Sequence, residues 1–599
     1  MSEIIAKRIP YGSADFGRMR NDNSYYVDKT RFIPLLEAQP YFVFLIRPRR
    51  FGKTLWLSTL QHYYDINRAE QFEHLFGDTY IGAHPTPERN SYLILFFNFA
   101  LVNPAVDQVE ASFEDNGYVE IASFLRRYEH FFTESERQEI LQGRNTEARL
   151  RRIFNYATEK SLKIYLLIDE YDNFANTILT TAGQEAYHNL THGEGFFRYF
   201  FNLLKGATAG QIAGLSRLYI TGVSPVTMDD VTSGFNIGDN LSIETSFNEL
   251  VGFTESEVFS ILEHYHQRED LKLTPNECLA TLRLWYDGYC FGRKLTAQQN
   301  VPHIYNSTLV WHFVKQAIRE QDIPRELIDT NMRIDYGKLR HLLTVDRHLN
   351  GNFSQLRSII EGGEVVSNIV SSFPLVRLAE PENFVSQLLF FGLLTFAGEQ
   401  NGLPLLRIPN RTIKDLLYSY LREGFRDVDV FRLDVNKLIR LLSNMAYRGE
   451  WQLFFDYVTA AVGEQASIRD YLSAEKVIQG FLLAYLNVSH FFLTWSEKEI
   501  GGGFVDFYLE PFLARYRDMK FGYLVELKYI SRNDFNQRQL EAKIDEAESQ
   551  LARYANDPRI QAVAAQVNLK KLVLVYSGWE LVYRAEAGAA RSLLAAPVA

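Results

Sequence analysis

The sequence predicts an α/β protein of several domains: a phosphate-binding core with a helical lid, a helical middle region, and a second α/β domain towards the C-terminus. Three observations predict it. The apolar run Tyr41–Ile46 leads into Arg47-Pro48-Arg49-Arg50-Phe51-Gly52-Lys53-Thr54 and then a helical pattern from Leu55 to Tyr64. A second apolar strand, Ile164–Ile168, ends in Asp169-Glu170. Beyond residue 465 the texture changes to helix, strands and helix, with Asp506 on one strand and Glu526 and Lys528 on the next.

The first stretch carries phosphate chemistry. A strand, a tight loop and a helix start present unpaired backbone N–H groups and the positive end of the helix dipole to an anion. Arg50, Phe51 and Gly52 form the loop, Lys53 can reach the β- and γ-phosphates of a nucleotide, and the Thr54 hydroxyl can hold Mg²⁺. In the usual glycine-rich loop the first glycine would stand at position 47, which is Arg47 here. Gly-Lys-Thr alone also occurs in ordinary loops before capped helices; Asp169 and Glu170, roughly a hundred residues on, supply the second half of the pattern. Asp169 is placed to hold the Mg²⁺ hydration shell and Glu170 to polarise a water against the γ-phosphate. Between them Tyr92–Phe99 reads as a further buried strand, and helical patterns run over 109–129 and 135–159, so a parallel sheet covered on both faces is expected. The strand Leu218–Thr221 ends in a polar residue, and Thr221 or Ser224 is the expected hydrogen-bonding sensor of the γ-phosphate.

These residues resemble a known family. Ile9-Pro10-Tyr11-Gly12-Ser13-Ala14-Asp15-Phe16, Tyr26-Val27-Asp28-Lys29-Thr30, the loop 47–54, Tyr219–Pro225, Trp285–Gly292 and Tyr305-Asn306 together look like the AAA-ATPase-like proteins of bacteria and archaea. That family carries Arg-Pro-Arg-Arg-Phe-Gly-Lys, so the resemblance accommodates Arg47. It covers roughly the first 310 residues and implies an AAA-type ATPase core, with ATP and Mg²⁺ as cofactors and a homo-oligomer left open.

Segment by segment, 25–30 reads as a short strand turning into a helix over 31–38, and Thr254 with Glu257 opens a lid helix through a capping box. Amphipathic helices are expected over 311–319, 334–343, 381–391, 412–422, 435–445 and 450–462. The domains are accordingly 1–250 (ATPase core), 251–340 (helical lid), 341–464 (helical spacer) and 465–599 (second α/β domain).

In that last domain Glu526 and Lys528, two apart on a strand, project to one side, and Asp506 on the preceding strand brings a second carboxylate beside Glu526. Two carboxylates placed this way bind Mg²⁺, and the adjacent ammonium can orient or help deprotonate a water, or stabilise the charge building on a scissile phosphate. Glu-x-Lys alone arises by chance in long chains; Asp506, Glu475 on the preceding helix, and Gln550 with Tyr554 on the following one add to it. The set is similar to the PD-(D/E)XK nuclease superfamily. By that resemblance Asp506 and Glu526 are metal ligands, Glu475 is an accessory acid at the metal, Lys528 is the catalytic lysine and Gln550 an active-site helix residue. Val505 stands where the superfamily's proline would precede the aspartate.

With 46% apolar and 23% charged residues the composition is that of a globular chain, and a net charge of −10 argues against constitutive coating of nucleic acid. Only Cys278 and Cys290 occur, in no paired metal-ligand spacing, which argues against a disulfide framework and a structural zinc site. The start lacks a basic-then-apolar leader, and the most apolar window, 477–495, is interrupted by polar residues, so no membrane partner and a cytoplasmic location are expected. The function expected is ATP hydrolysis regulating or positioning an Mg²⁺-dependent nuclease, with Mn²⁺ as the alternative metal, DNA ahead of RNA as substrate, and anti-phage defence or DNA processing as the setting. The competing expectation is a signalling or scaffolding ATPase with a catalytically silent C-terminal domain.

Overall fold

The computed structural model describes residues 6–191, 195–208, 214–225, 230, 238–293, 302–328, 344–345, 348–349, 351–377, 380–427, 431, 433–465 and 475–589. The helix expected over 334–343 lies outside them. The chain forms two compact units, Met1–Lys338 with Glu364–Thr412, and Leu339–Gly363 with Ile413–Ala599. The stretch expected as a spacer, 341–464, is thus divided between the two. Among the described residues no helix is long and apolar enough to cross a membrane.

The first unit is built on β1 (Phe42–Ile46), β2 (Leu93–Asn98), β3 (Ile164–Asp169), β4 (Leu215–Gly222) and the short β5 (Asp239–Asn240). Their order is β2-β3-β4-β1-β5 and every pairing is parallel. All six residues of β3 are buried, as a strand covered on both faces requires, which is why these segments read as continuous apolar runs rather than alternating ones. The registers Asn98↔Asp169, Leu45↔Thr221 and Ile46↔Gly222 bring the carboxyl ends of the strands to one edge. Ligands of such sheets sit at that edge. Helix α1 (Lys53–Tyr64) follows β1 directly and buries Lys53, Trp56, Leu57, Leu60, Tyr63 and Tyr64.

The lid helices Glu255–Gln267 and Pro275–Tyr286 each begin with a complete capping box, Thr254 with Glu257 and Thr274 with Glu277. The expected strand at 25–30 is irregular chain instead. The Asp28 carboxylate accepts both the backbone N–H and the hydroxyl of Thr30, and that local turn competes with strand pairing. The single helix expected over 135–159 is two, Glu134–Leu141 and Thr146–Glu159, because Thr133 and Asn145 each cap a new start. Between the expected helices of the middle region stands a small antiparallel sheet, Glu364–Val366, Leu403–Arg407 and Thr395–Gln400. Asn401 (φ 54°) and Gly402 (φ 79°) close its hairpin in the left-handed conformation that a two-residue turn demands.

The second unit is built on β6 (Phe492–Ile500), β7 (Gly503–Pro511), β8 (Phe521–Ile530), β9 (Asn568–Ser577) and β10 (Glu580–Glu586), in sequence order across the sheet. Only β8 and β9 pair in parallel, and the crossover between them contains α3 (Gln537–Tyr554). Leu540, Ile544, Ala547, Leu551 and Tyr554 fall at helical spacing and are buried with Leu524 of β8 and Val573 and Val575 of β9. Helix α2 (Glu475–Leu486) precedes β6.

Candidate active sites

In the first unit the loop after β1 turns through Arg50 (φ 69°) and Gly52 (φ 97°) and opens α1 at Lys53. The left-handed φ at Gly52 explains the glycine. The Lys53 ammonium donates to the carbonyls of Arg47 and Pro48, both at 3.0 Å, so it lies across the loop it belongs to. Burial lowers its pKa, and Glu170 and Asp169 oppose that. The Thr54 hydroxyl donates to Asp169 Oδ2 at 2.7 Å. Burial and the neighbouring Glu170 charge raise Asp169 to about 6. Glu170 itself is left-handed (φ 51°), a strained conformation for a glutamate that costs on the order of 1–3 kcal/mol and is characteristic of functional sites. Arg50, Phe51, Gly52, Lys53, Thr54 and Glu170 line one cleft of about 270 Å³, whose far wall is Pro10, Tyr25, Tyr26, Val251, Phe253 and Trp311.

Arg47 answers the missing glycine. Its side chain turns away from this cleft into the core, where it donates to the carbonyls of Ser242, Ile46 and Phe247 and lies 4.3 Å over the Phe291 ring. Arg47→Ala strands those carbonyls and opens a cavity, so it is expected to destabilise the protein by about 3 kcal/mol in urea unfolding. Arg47→Gly, which restores the usual motif, should be no better at holding nucleotide than Arg47→Ala; a gain in nucleotide affinity would refute this reading.

Thr221 is 1% exposed and its hydroxyl donates to the Leu45 carbonyl at 2.9 Å, across the β1–β4 pair, so that proton is committed within the sheet. The Ser224 hydroxyl accepts from Gln387 Nε2 at 3.3 Å. Several supporting residues were not anticipated from the sequence. Asp172 accepts the backbone N–H groups of Val223 and Ser224, tying the end of β4 to the end of β3. Gly222 is required there, since a Cβ would collide with the Tyr171 ring and Asp172. Ser307 Oγ and Thr308 Oγ1, which line the same cleft, donate to the Arg50 carbonyl at 3.1 and 3.0 Å and brace the loop. Lys29, also in the cleft wall, forms a buried ion pair with the capping Glu257 at 2.6 Å. Arg283 pairs with Glu255.

In the second unit the β7–β8 ladder runs through Leu509↔Tyr523, Tyr508↔Leu524 and Phe507↔Val525 and stops there. Beyond it, side chains take over the backbone groups: Asp506 Oδ2 accepts the Leu527 N–H at 2.8 Å, and Glu526 Oε1 accepts the Asp506 N–H at 3.4 Å. The opening of the ladder thereby sets two carboxylates side by side. Burial first, then the Glu526 charge, pushes Asp506 up to about 8, and burial raises Glu526 as well. Lys528 Nζ lies 3.1 Å from Glu526 Oε2 and 3.5 Å from Glu546 Oε1. Burial works against its charge, but Glu526 and Asp506 outweigh it and leave its pKa raised. From α2, Gln479 donates to the Asp506 carbonyl at 3.2 Å and to its Oδ1 at 3.3 Å. Glu475, one helical turn earlier, accepts the Tyr529 N–H at 3.1 Å, and its pKa is raised by burial and by Asp506. Gln550 Oε1 on α3 is buried with no hydrogen-bond partner.

Among the described residues no three His, Cys, Asp or Glu side chains gather as a metal cage. Asp506 and Glu526 form a pair, with the Glu475 carboxylate bound to Tyr529. A pair of carboxylates suits Mg²⁺, which keeps several waters and is held by one or two carboxylates. Two buried carboxylates that resist ionising together are stabilised by a cation, so the donor set fits.

That crowding has a measurable sign. A carboxyl whose folded pKa is raised holds a proton the unfolded chain has released, so the contribution of Asp506 to stability is complete below about pH 4 and is lost as pH rises through about 8. In EDTA the melting temperature should fall between pH 5.5 and 9, Asp506→Asn should flatten that slope, and Mg²⁺ or Mn²⁺ should restore wild type at pH 9. A wild-type slope of the opposite sign would refute the crowded pair.

Residues 10–232 match the family described as predicted AAA-ATPase, and residues 473–586 match the PD-(D/E)XK nuclease superfamily. An uncharacterized protein in the vnfD 5′ region of Azotobacter chroococcum mcd 1 is 27% identical over 289 residues, 47% of this chain and 48% of that protein. The chain thus spans about half the length of this curated relative. Among solved structures, the Aeropyrum pernix ORC2 protein in its ADPNP–ADP complexes has a TM-score of 0.32 at 11% identity, over 66% of this chain and 93% of that one. The Aeropyrum pernix ORC1 protein in complex with DNA has a TM-score of 0.25 at 12% identity, over 70% and 94%.

Proposed function

For a chain that carries an AAA-ATPase-like domain and a PD-(D/E)XK nuclease superfamily domain, we propose ATP hydrolysis in the first unit and metal-dependent cleavage of nucleic acid in the second, the first regulating the second. The observation that carries this is the opened β7–β8 ladder, which sets Asp506 and Glu526 together with Lys528 beside them.

In the first unit the loop 50–52 and the start of α1 cradle the phosphates, and Lys53 leaves the Arg47 and Pro48 carbonyls for the β- and γ-phosphates. Thr54 and Asp169, already joined, would hold Mg²⁺, and Glu170 orients the attacking water. Thr221 acts through the sheet, keeping β1 and β4 in register beneath the loop. In the second unit Asp506 and Glu526 would hold the metal, with Gln479 fixing the Asp506 carboxylate and Glu475, held by the Tyr529 N–H, as an accessory acid. The metal, when bound, polarises the scissile phosphate and lowers the pKa of a water. Lys528, steadied by Glu526 and Glu546, sets a positive charge where the phosphate becomes more negative. Gln550 offers its side-chain amide to the substrate.

The test is incubation of the purified protein with single- and double-stranded DNA and RNA in Mg²⁺ or Mn²⁺, with and without ATP. Metal-dependent cutting whose rate responds to ATP is expected. ATP hydrolysis with no cutting under any condition would sink the nuclease assignment in favour of a scaffolding ATPase with a silent second domain.

A further inference from the structure

Phe504 is 63% exposed, although it is a large apolar residue in a sheet whose neighbouring positions Val505 and Phe507 are fully buried. It stands two residues before Asp506 on β7. Its backbone is fixed: the Tyr554 hydroxyl donates to the Phe504 carbonyl at 2.9 Å, and the tip of the β6–β7 hairpin is tied down by the Gly501 N–H donating to Asp557 Oδ2 at 3.0 Å. The ring is therefore presented by a rigid support rather than by a loose loop. The adjacent Gly503 is packed against α3 as well, where a Cβ would collide with the Arg553 guanidinium and the Tyr554 ring. An exposed π-face on a fixed backbone, two residues along the strand from a phosphodiester site, matches one ligand chemistry: an unpaired nucleobase on a phosphate backbone.

We infer that Phe504 is a stacking platform for an unpaired base next to the scissile phosphate, so that the second unit takes single-stranded or frayed nucleic acid in preference to intact duplex. The assignment rests on the nuclease reading for its location, but stacking can be measured without cleavage. A stacked base is worth roughly tenfold or more in affinity, whatever its identity. An intact duplex keeps its bases within the helix and gains nothing from the ring.

The experiment uses the full chain carrying Asp506→Asn, with Phe504 retained or replaced by Ala or Trp. The probes are a fluorescein-labelled single-stranded 20-mer with 2-aminopurine at successive positions and its blunt duplex, in Ca²⁺ without ATP. Phe504→Ala is expected to weaken single-strand binding about tenfold and leave duplex binding within twofold. Phe504→Trp should retain binding and quench 2-aminopurine at one position. Equal losses on both probes, no loss on either, or no single-strand binding by the Phe504 protein would each overturn the proposal. Asp506-dependent cutting by wild type, with cleavage of single strands unaltered in Phe504→Ala, would overturn it while leaving the nuclease standing. Stacking without any cutting by wild type would uphold Phe504 and remove the nuclease. Unchanged melting temperatures of the Phe504 variants are the control for folding.

Discussion

Lys53→Ala is expected to lower steady-state ATP hydrolysis by at least about 100-fold while leaving metal-dependent cleavage of nucleic acid in place without its response to ATP. The ammonium is buried at the start of α1 and in this state donates to two loop carbonyls. Exchanging those neutral acceptors for charged phosphate oxygens strengthens each bond, since hydrogen bonds to charged groups contribute about 1.5–3 kcal/mol against about 1 for neutral ones. The gain is largest where charge builds up in the transition state, and losing one such donor typically costs about 2.7–4 kcal/mol. Lys53→Arg should not rescue, because a planar fork cannot reproduce a compact ammonium poised between the Arg47 and Pro48 carbonyls. Phosphate release checks the first claim and a melting curve checks folding. Turnover within threefold of wild type would remove the phosphate-loop assignment.

The parts of these sites that were legible in the sequence are those whose chemistry is contiguous. Gly52-Lys53-Thr54 closes the short loop after one apolar run and Asp169-Glu170 ends another, so their places at the edge of a parallel sheet follow from local pattern alone. Glu526 and Lys528 are related by strand alternation. What was not legible depends on partners far along the chain. Arg47 reads as a defect until Ser242 and Phe247, 195 and 200 residues away, are seen to receive it. Ser307 and Thr308 brace a loop more than 250 residues earlier. The extra β-sheet of the middle region is a different case. Asn401-Gly402 between alternating apolar residues is a strong hairpin signal, and the helical periodicity around it masked it. Gln479 was also within reach, since it lies four residues after Glu475 on one helix and therefore on the same face. Asp172 had no such signal, because a third acid after Asp169-Glu170 looks like a surface residue until the end of β4 arrives.

Asp506→Asn and Lys528→Ala are both expected to abolish cleavage, by two to three orders of magnitude or more, yet to move stability in opposite directions. Asp506→Asn keeps an oxygen for the Leu527 N–H and the shape of the side chain, but removes one of two negative charges packed together out of water. In EDTA at pH 9 it should raise the melting temperature, the sign expected where a site keeps a repulsion for the sake of its ligand. Lys528→Ala leaves Glu526, 1% exposed, without its nearest cation, and breaking a buried ion pair from one side costs about 3 kcal/mol. It should lower the melting temperature, most strongly at high pH, and added Mg²⁺ should recover part of the loss because the cation substitutes for the missing charge. A purely structural role for the three residues predicts that both variants destabilise and that cleavage falls only in proportion to unfolding. Calorimetry of the two variants with and without metal, beside cleavage measured well below either melting temperature, separates the two accounts: inactive and stabilised Asp506→Asn fits a metal-binding pair, whereas inactive and destabilised Asp506→Asn would mean that the carboxylate holds the β7–β8 junction together and that catalysis lies elsewhere.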